Sequence, residues 1–274
     1  MPVINTNTNA QYAQDALKVN AKATANVMQQ LSTGSRINAA RDDAAGLSLS
    51  QNMTSQVRGL SQGVRNVNDG INLLQTADGA LIETSNMLQR MRELAVQSAN
   101  STNSVSQRGY LNNEYSSLKE EITRIANNTL WNNTSVFGTT TTPNTLIFQA
   151  GMNSGQTISI VVSAMDASNL GVNTTAITGF TSSSAALSLI DTAIETVNAA
   201  RSGMGATMNQ LSYSADNMVN ISTNIAASRS TIMDTDYATA SAQLAKNQII
   251  SQAATAMLAQ ANQQPQSVLS LLKG

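Results

Sequence analysis

Two adjacent carboxylates are the first residues in this chain whose types and spacing could do chemistry. Asp42 and Asp43 follow Arg41, and Arg36 lies five residues before Arg41. Paired carboxylates can act as an acid and a base, but neighbouring arginines favour a structural ion-pair bend. We therefore interpret Arg36, Arg41, Asp42 and Asp43 as an inter-domain bend between helices rather than as a catalytic site.

The residues most often found in metal sites and nucleophilic sites are missing, because the 274-residue sequence contains neither histidine nor cysteine. This removes the commonest general base, the usual zinc ligand and thiol chemistry. Asp234 and Asp236 could bind a cation, but helix capping is the simpler interpretation. Met204, Met208 and Met218 fall at core positions, where packing explains them better than a cofactor does. We expect no catalytic residue, cofactor or metal, and hence no enzyme.

The amino-acid composition limits the classes of partner that the chain can bind. The net charge is −1, and only 11% of the residues are charged. No basic field is available for nucleic acid or an anionic membrane, and we expect neither partner. No run of about 18 apolar residues could insert into a membrane. The first residues, MPVINTNTNAQ, do not form a cleavable secretory signal.

Two long heptad patterns determine the predicted fold. In Met53–Asn100 one heptad position is apolar throughout and its companion position is interrupted by Asp78, Ser85 and Arg92. The apolar residues of the two positions are Leu60, Val67, Leu74, Leu81, Leu88 and Ala95, and Val57, Val64, Ile71 and Ala99. A second uninterrupted set comprises Ile190, Val197, Met204, Leu211, Met218, Ile225 and Ile232. These patterns predict a mainly α fold with a long antiparallel coiled-coil-like helical rod, in which the chain doubles back.

The middle of the chain has a different pattern. A helix is expected over Gln107–Asn128, after which β-branched runs at Thr145–Gln149 and Gln156–Val162 predict a small β-hairpin. A single hairpin is marginal alone and must pack against the rod. Residues 173–184 are rich in Thr and Ser and are expected to be an exposed loop.

The two ends are predicted to form helices that are too weakly apolar to be stable singly. Between Tyr237 and Gly274 the charged residues are Lys246 and Lys273, which suits close helix–helix packing. Pro265 should interrupt or kink this last helix. We expect both ends to order when many copies bury them in a polymer. The expected polymerisation interface comprises Leu17, Val27, Leu31, Leu244, Ile250, Met257, Leu258, Leu269 and Leu272.

Four segments resemble the bacterial flagellins, the subunits of flagellar filaments. They are Leu31–Gly46 (LSTGSRINAARDDAAG), Leu88–Asn100 (LQRMRELAVQSAN), Phe148–Ile160 (FQAGMNSGQTISI) and Ala261–Leu272 (ANQQPQSVLSLL). The resemblance covers nearly the whole chain. It departs from many flagellins in lacking their large variable outer domains.

The resemblance implies a layered subunit of a motility filament. Residues 1–45 and 234–274 would form terminal helices in a separate coiled-coil layer, the inner tube (D0). Residues 46–170 and 185–233 would form the helical rod with the hairpin (D1), and residues 171–184 a reduced variable surface loop. Secretion through the flagellar type III apparatus would place the subunit in the extracellular flagellum. Implied partners are further copies of the chain, the export apparatus with its chaperone, and the filament cap and junction proteins.

The resemblance also implies an immune receptor as a partner. It places Arg90, Leu94, Gln97 and Glu114 where some flagellins contact Toll-like receptor 5. An equally good interpretation is that these residues form a D1 contact that is buried inside the filament.

Two alternatives belong to other classes. A hook–filament junction protein is a related adaptor, but the C-terminal run and the similarity at both ends favour a flagellin. Some flagellins carry an inserted zinc protease, which requires a His-Glu-x-x-His helix. The absence of histidine argues against that enzyme.

Overall fold

The computed structural model describes residues 6–138 and 142–272, and for residues 264–272 it describes the backbone alone. Five helices and two short antiparallel strand pairs make up the described chain, so the predicted mainly α fold is confirmed. In chain order they are α1 (Thr8–Thr33), α2 (Ala44–Ser98), α3 (Val105–Asn128), β1 (Leu130–Trp131), β2 (Thr134–Ser135), β3 (Asn144–Gln149), β4 (Thr157–Val162), α4 (Phe180–Met233) and α5 (Tyr237–Leu272).

The chain divides into two compact units. Unit 1 contains residues 1–55 and 224–274, and unit 2 contains residues 56–223. The division falls within α2 and within α4, so each of these helices contributes to both units. The domain bounds and layers expected from the sequence stay predictions.

In unit 2, α2 and α4 pack antiparallel. The Nε of Arg92 donates to Oδ1 of Asp191, and the Nε of Arg201 donates to Oδ1 of Asp78, each at 2.7 Å. Residue numbers therefore fall along α4 as they rise along α2. One predicted heptad position is buried along most of each helix, at Leu60, Val67, Leu74, Leu81, Leu88 and Ala95 and at Ile190, Val197, Met204, Leu211 and Met218. The other predicted residues, Val57, Val64, Ile71, Ala99, Ile225 and Ile232, are half-buried. This burial confirms the coiled-coil-like packing.

The interruptions in the α2 heptad are polar contacts with α4. Asp78 and Arg92 each form the ion pair with α4 described above, while Ser85 is buried. The two pairs have opposite polarity, with the acid on α2 in one and on α4 in the other. Sliding either helix by about ten residues would bring like charges together, which disfavours alternative registers.

The hairpin packs against α2 through one face. Strands β3 and β4 pair Leu146 with Ile160 and Phe148 with Ile158. These four side chains are half-buried, while the alternate residues Ile147 and Val161 are exposed. The ring of Phe148 lies so close to α2 that a Cβ added at Gly70 would meet it at 2.7 Å. The predicted hairpin is thus present and packs on the long helices as expected.

A second, shorter hairpin was not predicted. Strands β1 and β2 join through Asn132 and Asn133, which both have positive φ angles of 45° and 65°. Asparagine tolerates this left-handed conformation better than most residues do, and two such residues form a tight turn.

The expectation of an exposed loop at residues 173–184 is wrong for much of that segment. Within it Thr175, Ile177 and Ser183 are buried, and α4 already begins at Phe180. The reason is a set of hydrogen bonds from α3 that holds the segment down. Lys119 donates through Nζ to the carbonyls of Thr175 and Asn173, at 2.8 and 3.0 Å.

Further polar contacts complete this attachment. The Tyr115 hydroxyl lies 2.6 Å from Oγ1 of Thr175, and the backbone N–H of Ile177 donates to Asn112 Oδ1 at 3.0 Å. Burial raises the pKa of Tyr115, whose side chain is fully enclosed. The segment before α4 is therefore an ordered part of unit 2.

Candidate assembly interface

Unit 1 is built on the pairing of the two terminal helices. Asn7 caps α1 through its side-chain oxygen and donates through Nδ2 to the carbonyl of Ala261 at 2.8 Å. Towards the other end of the pair, the Tyr237 hydroxyl donates to the carbonyl of Leu31 at 2.7 Å. Early residues of α1 thus lie opposite late residues of α5, and the pairing is antiparallel.

The α1–α5 pair has little apolar core of its own. Along these two helices, the described buried side chains are Ala10, Asn20, Ala240 and Asn247. Each of these is small or polar. The larger apolar residues lie half-buried at the margin of the pair or point away from it.

The predicted polymerisation residues occupy these marginal and outward positions. Leu17, Val27, Leu31, Leu244 and Leu258 are half-buried, while Ile250 is 41% and Met257 65% exposed. The side chains of Leu269 and Leu272 lie outside the described residues. The backbone of α5 continues as a helix through Pro265 to Leu272, so the predicted interruption at the proline is wrong.

Further exposed apolar residues, which were not predicted, lie on the same two helices. Tyr12, Val19, Met28 and Ile249 are exposed by between 55% and 76%. None of them is among the predicted polymerisation residues. Large apolar residues on otherwise polar helix faces were the available sequence indication.

One groove between α1 and α5 is lined both by Met257, a predicted polymerisation residue, and by Tyr12, which was not predicted. The groove has a volume of about 600 Å³. Its lining residues are Asn9, Tyr12, Ala13, Ala16, Ala254, Met257, Gln260 and Ala261. Tyr12 and Met257 are exposed and four alanines complete the apolar part of this lining, so the described residues leave an apolar surface open here.

Residues 34–43 between α1 and α2 are not helical, and hydrogen bonds to backbone groups outnumber ion pairs there; because the whole segment lies within unit 1, its predicted role between domains stays a prediction. Asp43 Oδ1 accepts a hydrogen bond from the N–H of Gly46 at 2.8 Å, and α2 begins here. Asp42 Oδ2 accepts from the N–H groups of Asn38 and Ala39. The one ion pair described in this cluster joins Arg41 and Asp42 at 3.7 Å, with Arg41 largely exposed.

Arg36 acts as a cap for α4. Its Nε and Nη2 donate to the carbonyl of Ile232 at 3.2 and 2.6 Å, and its backbone N–H donates to the carbonyl of Met233. A bridge between Ser35 and Asp234 joins the same two segments. A cation at a helix C-terminus also interacts favourably with the helix dipole. Within unit 1 these contacts tie the end of α1 to the end of α4.

The four predicted receptor residues divide into an exposed group and a buried one. Arg90 donates through Nε to Glu114 and through Nη1 to Glu93, both at 2.9 Å. These hydrogen bonds, above all the one to Glu114, raise the pKa of Arg90. Gln97 is exposed as well, but Leu94 is only 1% exposed. Leu94 therefore cannot offer its side chain as a surface contact, and that part of the expectation is corrected.

The described residues form neither a metal-binding cluster nor a membrane-spanning helix. No three His, Cys, Asp or Glu side chains there are grouped so that they could hold a metal ion. No helix in the described part of the chain is long and apolar enough to cross a membrane.

The paired long helices and the exposed apolar residues of the terminal helices are typical of coiled-coil-like structural proteins. The sequence also matches two models of one protein family. The family model of the bacterial flagellin N-terminal helical region matches residues 4–142, and that of the C-terminal helical region matches residues 187–272. The chain belongs to the bacterial flagellin family.

Curated relatives match the chain along its full length. A flagellin of Halalkalibacterium halodurans is 43% identical, covering 99% of this chain and 100% of that protein. A flagellin of Bacillus subtilis is 39% identical, covering 98% and 99%. The flagellar filament 33 kDa core protein of Treponema phagedenis is also 39% identical, covering 99% and 100%.

Solved structures agree on the fold. The crystal structure of Bacillus cereus flagellin is 34% identical with a TM-score of 0.51, covering 60% of this chain and 94% of that one. A putative flagellar hook-associated protein from Vibrio parahaemolyticus gives a TM-score of 0.59 over 70% of this chain and 100% of that one. Its sequence identity of 16% makes this a likeness of fold alone.

Proposed function

We propose that this protein is a structural subunit that polymerises into the bacterial flagellar filament. The observation that carries the proposal is the full-length match to flagellins and filament core proteins, which includes both terminal helical regions. The open groove and exposed apolar residues of α1 and α5 give the physical basis, because other copies of the chain can cover them. The relatives at 39–43% identity are flagellins and a filament core protein, whereas the hook-associated protein shares 16% identity, which favours the filament subunit over the junction-protein alternative.

The finer parts of the proposal follow from this role. The subunit leaves the cell through the flagellar type III apparatus with its chaperone, and joins an extracellular filament that carries cap and junction proteins. Residues 1–45 and 234–274 form the inner layer, and the remainder forms the outer one. The protein has no catalytic role.

A carboxylate placed in α5 tests polymerisation. Leu258 is half-buried, and Lys246 is the one charged residue in the sequence of α5. Leu258→Asp should therefore abolish filaments, because an unpaired buried carboxylate costs several kcal/mol. Sedimentation and electron microscopy after a rise in protein concentration provide the readout, and unit 2 should keep its thermal melting behaviour.

Thr174→Asp is the matched control for this experiment. It adds the same charge at an exposed position of unit 2 and should leave polymerisation intact. Normal filaments from Leu258→Asp would mean that Leu258 does not face a packed interface. An unaltered chain that never forms filaments would contradict the proposed function itself.

Toll-like receptor 5 is the proposed host partner, with Arg90, Gln97 and Glu114 as its contact surface. Arg90 presents a planar guanidinium on the exposed side of α2, and Leu94 is buried beneath that surface rather than part of it. Arginine is common among interface residues with large energetic contributions, where truncation costs about 2 kcal/mol or more. Arg90→Ala should accordingly weaken receptor binding at least tenfold.

A binding titration with monomer checks this prediction. Arg65→Ala is a suitable control, because Arg65 is also an exposed arginine of α2 and donates to Gln62. Intact filament should activate the receptor poorly if neighbouring subunits cover Arg90. Equal affinity of Arg90→Ala and the unaltered monomer would mean that the receptor binds another surface of this chain or does not bind the chain at all.

A further inference from the structure

Two buried asparagines stand out in the α1–α5 pair. Asn20 is 8% exposed and Asn247 is 3% exposed, although both are strongly polar. Asn20 Nδ2 donates across the interface to the carbonyl of Asn247 at 2.8 Å. Asn247 Oδ1 accepts from Gln243 Nε2, while Asn247 Nδ2 has no partner among the residues that the structure describes. The two amides thus occupy the same level of the interface and form one polar layer.

Between the hydrogen bonds at the two ends of the pair, from Asn7 to Ala261 and from Tyr237 to Leu31, the remaining apolar contacts discriminate poorly between alignments. Small or half-buried apolar residues recur along both helices, including Ala10, Ala13 and Leu17 on α1 and Leu244, Ala254 and Leu258 on α5. Moving α5 by one heptad would place similar residues opposite each other again. Apolar burial alone therefore gives little preference for one register over the next.

We propose that Asn20 and Asn247 select the register in which α1 and α5 pair. In the observed register one polar layer contains both amides. A shift by one heptad would bury each amide separately against apolar side chains and create two polar layers. Since a buried polar group is costly without good partners, the shifted register is disfavoured. A single buried asparagine fixes register in coiled coils in the same way, at some expense of stability.

The position of this layer gives it a distinct role. The Tyr237–Leu31 hydrogen bond and the Ser35–Asp234 bridge already fix the pair near the bend. Asn20 lies eleven residues nearer the N-terminus than Leu31, at the start of the half of the pair that contains the groove. The asparagine layer therefore sets the alignment of Tyr12 with Met257, the two exposed residues of that groove.

Disulfide trapping tests this assignment directly, because the chain has no native cysteine. Ala13→Cys with Ala254→Cys reports the observed register, because Ala13 lies seven residues before Asn20 and Ala254 seven residues after Asn247 on the antiparallel pair. Ala13→Cys with Ala261→Cys reports a shift of one heptad, which is about 10 Å along the helix and beyond the reach of a disulfide. Both pairs are oxidised in the full chain, in its soluble and its sedimented fractions.

With both asparagines present, the first pair should cross-link at least tenfold more than the second. In Asn20→Leu and in Asn247→Leu this ratio should fall at least fivefold, because the apolar interface then permits both registers. Thr24→Leu is the matched control, since Thr24 is half-buried on α1 and its hydroxyl bonds within its own helix. This control should keep the original ratio.

An unchanged ratio in both leucine variants would overturn the proposal, and so would an equal fall in Thr24→Leu. If a leucine variant yields neither cross-link, Asn20→Ala removes the amide without adding bulk and is judged by the same ratio. Loss of both cross-links in Asn20→Ala as well would also overturn it, because the amide would then be needed for pairing itself. Failure of the unaltered chain to sediment bears on the filament function and leaves the ratio measurable in the soluble fraction, because a disulfide traps each register even when the pair forms only transiently.

Discussion

Carboxylates in this protein act in two physically different ways. Asp42 and Asp43 accept hydrogen bonds from backbone N–H groups and so cap the turn and the start of α2. Such caps typically contribute about 1 kcal/mol and do not require a cation. Glu121 instead pairs with Arg124 one helical turn further along α3, through Nε to Oε2 at 2.7 Å and Nη2 to Oε1 at 2.5 Å. Only the second kind should respond to removal of an arginine.

Glu121 gives a prediction of pH dependence. The hydrogen bonds from Arg124 lower the pKa of Glu121 in the folded protein. Since the unfolded value is about 4.3, ionised Glu121 stabilises α3 above that pH, and the contribution is lost as pH falls through the lower folded value. The carboxyl resonance of Glu121 in the monomer should therefore titrate below its usual midpoint.

Arg124→Gln provides the comparison for this titration. It removes the charge but keeps a long side chain, and should return the Glu121 midpoint towards its usual value. A midpoint that does not move would show that Arg124 does not pair with Glu121 in solution.

Gly70 allows close packing between α2 and the hairpin. A Cβ at Gly70 would lie 2.7 Å from Cδ1 of Phe148, closer than side chains normally approach. Gly79 lies on the same helix with nothing within 4 Å of its Cβ position. The two positions therefore separate the packing role of glycine from its effect on helix propensity.

Opposite changes in stability are predicted for these two glycines. Gly70→Ala should destabilise unit 2 by about 1–3 kcal/mol, because Phe148 must move out of its place. Gly79→Ala should stabilise the protein by up to about 1 kcal/mol, since alanine is the better helix former. Denaturant unfolding of the monomer measures both. Equal effects of the same sign would mean that the hairpin does not pack at Gly70.

The long helices and main hairpin were predictable because their burial is periodic. Leu74 and Leu211 repeat at the heptad spacing, and that spacing alone indicates the core face. The ordered segment before α4 was not predictable, because its burial depends on bonds from Tyr115 and Lys119, which are distant in sequence. The composition of that segment indicated an exposed loop, and tertiary contacts overrode this tendency.

The interface residues were only partly predictable, for a related reason. Met257 was predicted as an interface residue and Tyr12 was not, although both are exposed residues of the same groove. A break between α1 and α2 was predicted, but the contacts that hold it were not. The partner of Arg36 is a backbone carbonyl of Ile232, and sequence proximity to Asp42 pointed instead to an ion pair.

The two units differ greatly in the apolar surface that they bury. Unit 2 encloses a continuous series of large side chains along α2 and α4, while Ile37 is the one large apolar residue buried within the described part of unit 1. Fully burying a side chain of this size contributes about 1.5–3 kcal/mol. Unit 1 therefore has little to offset the conformational entropy of ordering its long helices.

We accordingly predict that both ends of the monomer are digested first and become protected on polymerisation. Trypsin should cut at Lys18, Lys22 and Lys246 in dilute monomer, while Arg65 and Arg201 of unit 2 resist because cleavage there requires opening a buried core. In the polymer, neighbouring copies cover the exposed faces of α1 and α5, so cleavage at the three lysines should slow and helix content should rise. Mass spectrometry of a digestion time course identifies the sites in both states. Equal protection of Lys18 and Arg65 in dilute monomer would mean that the α1–α5 pair is stable without assembly.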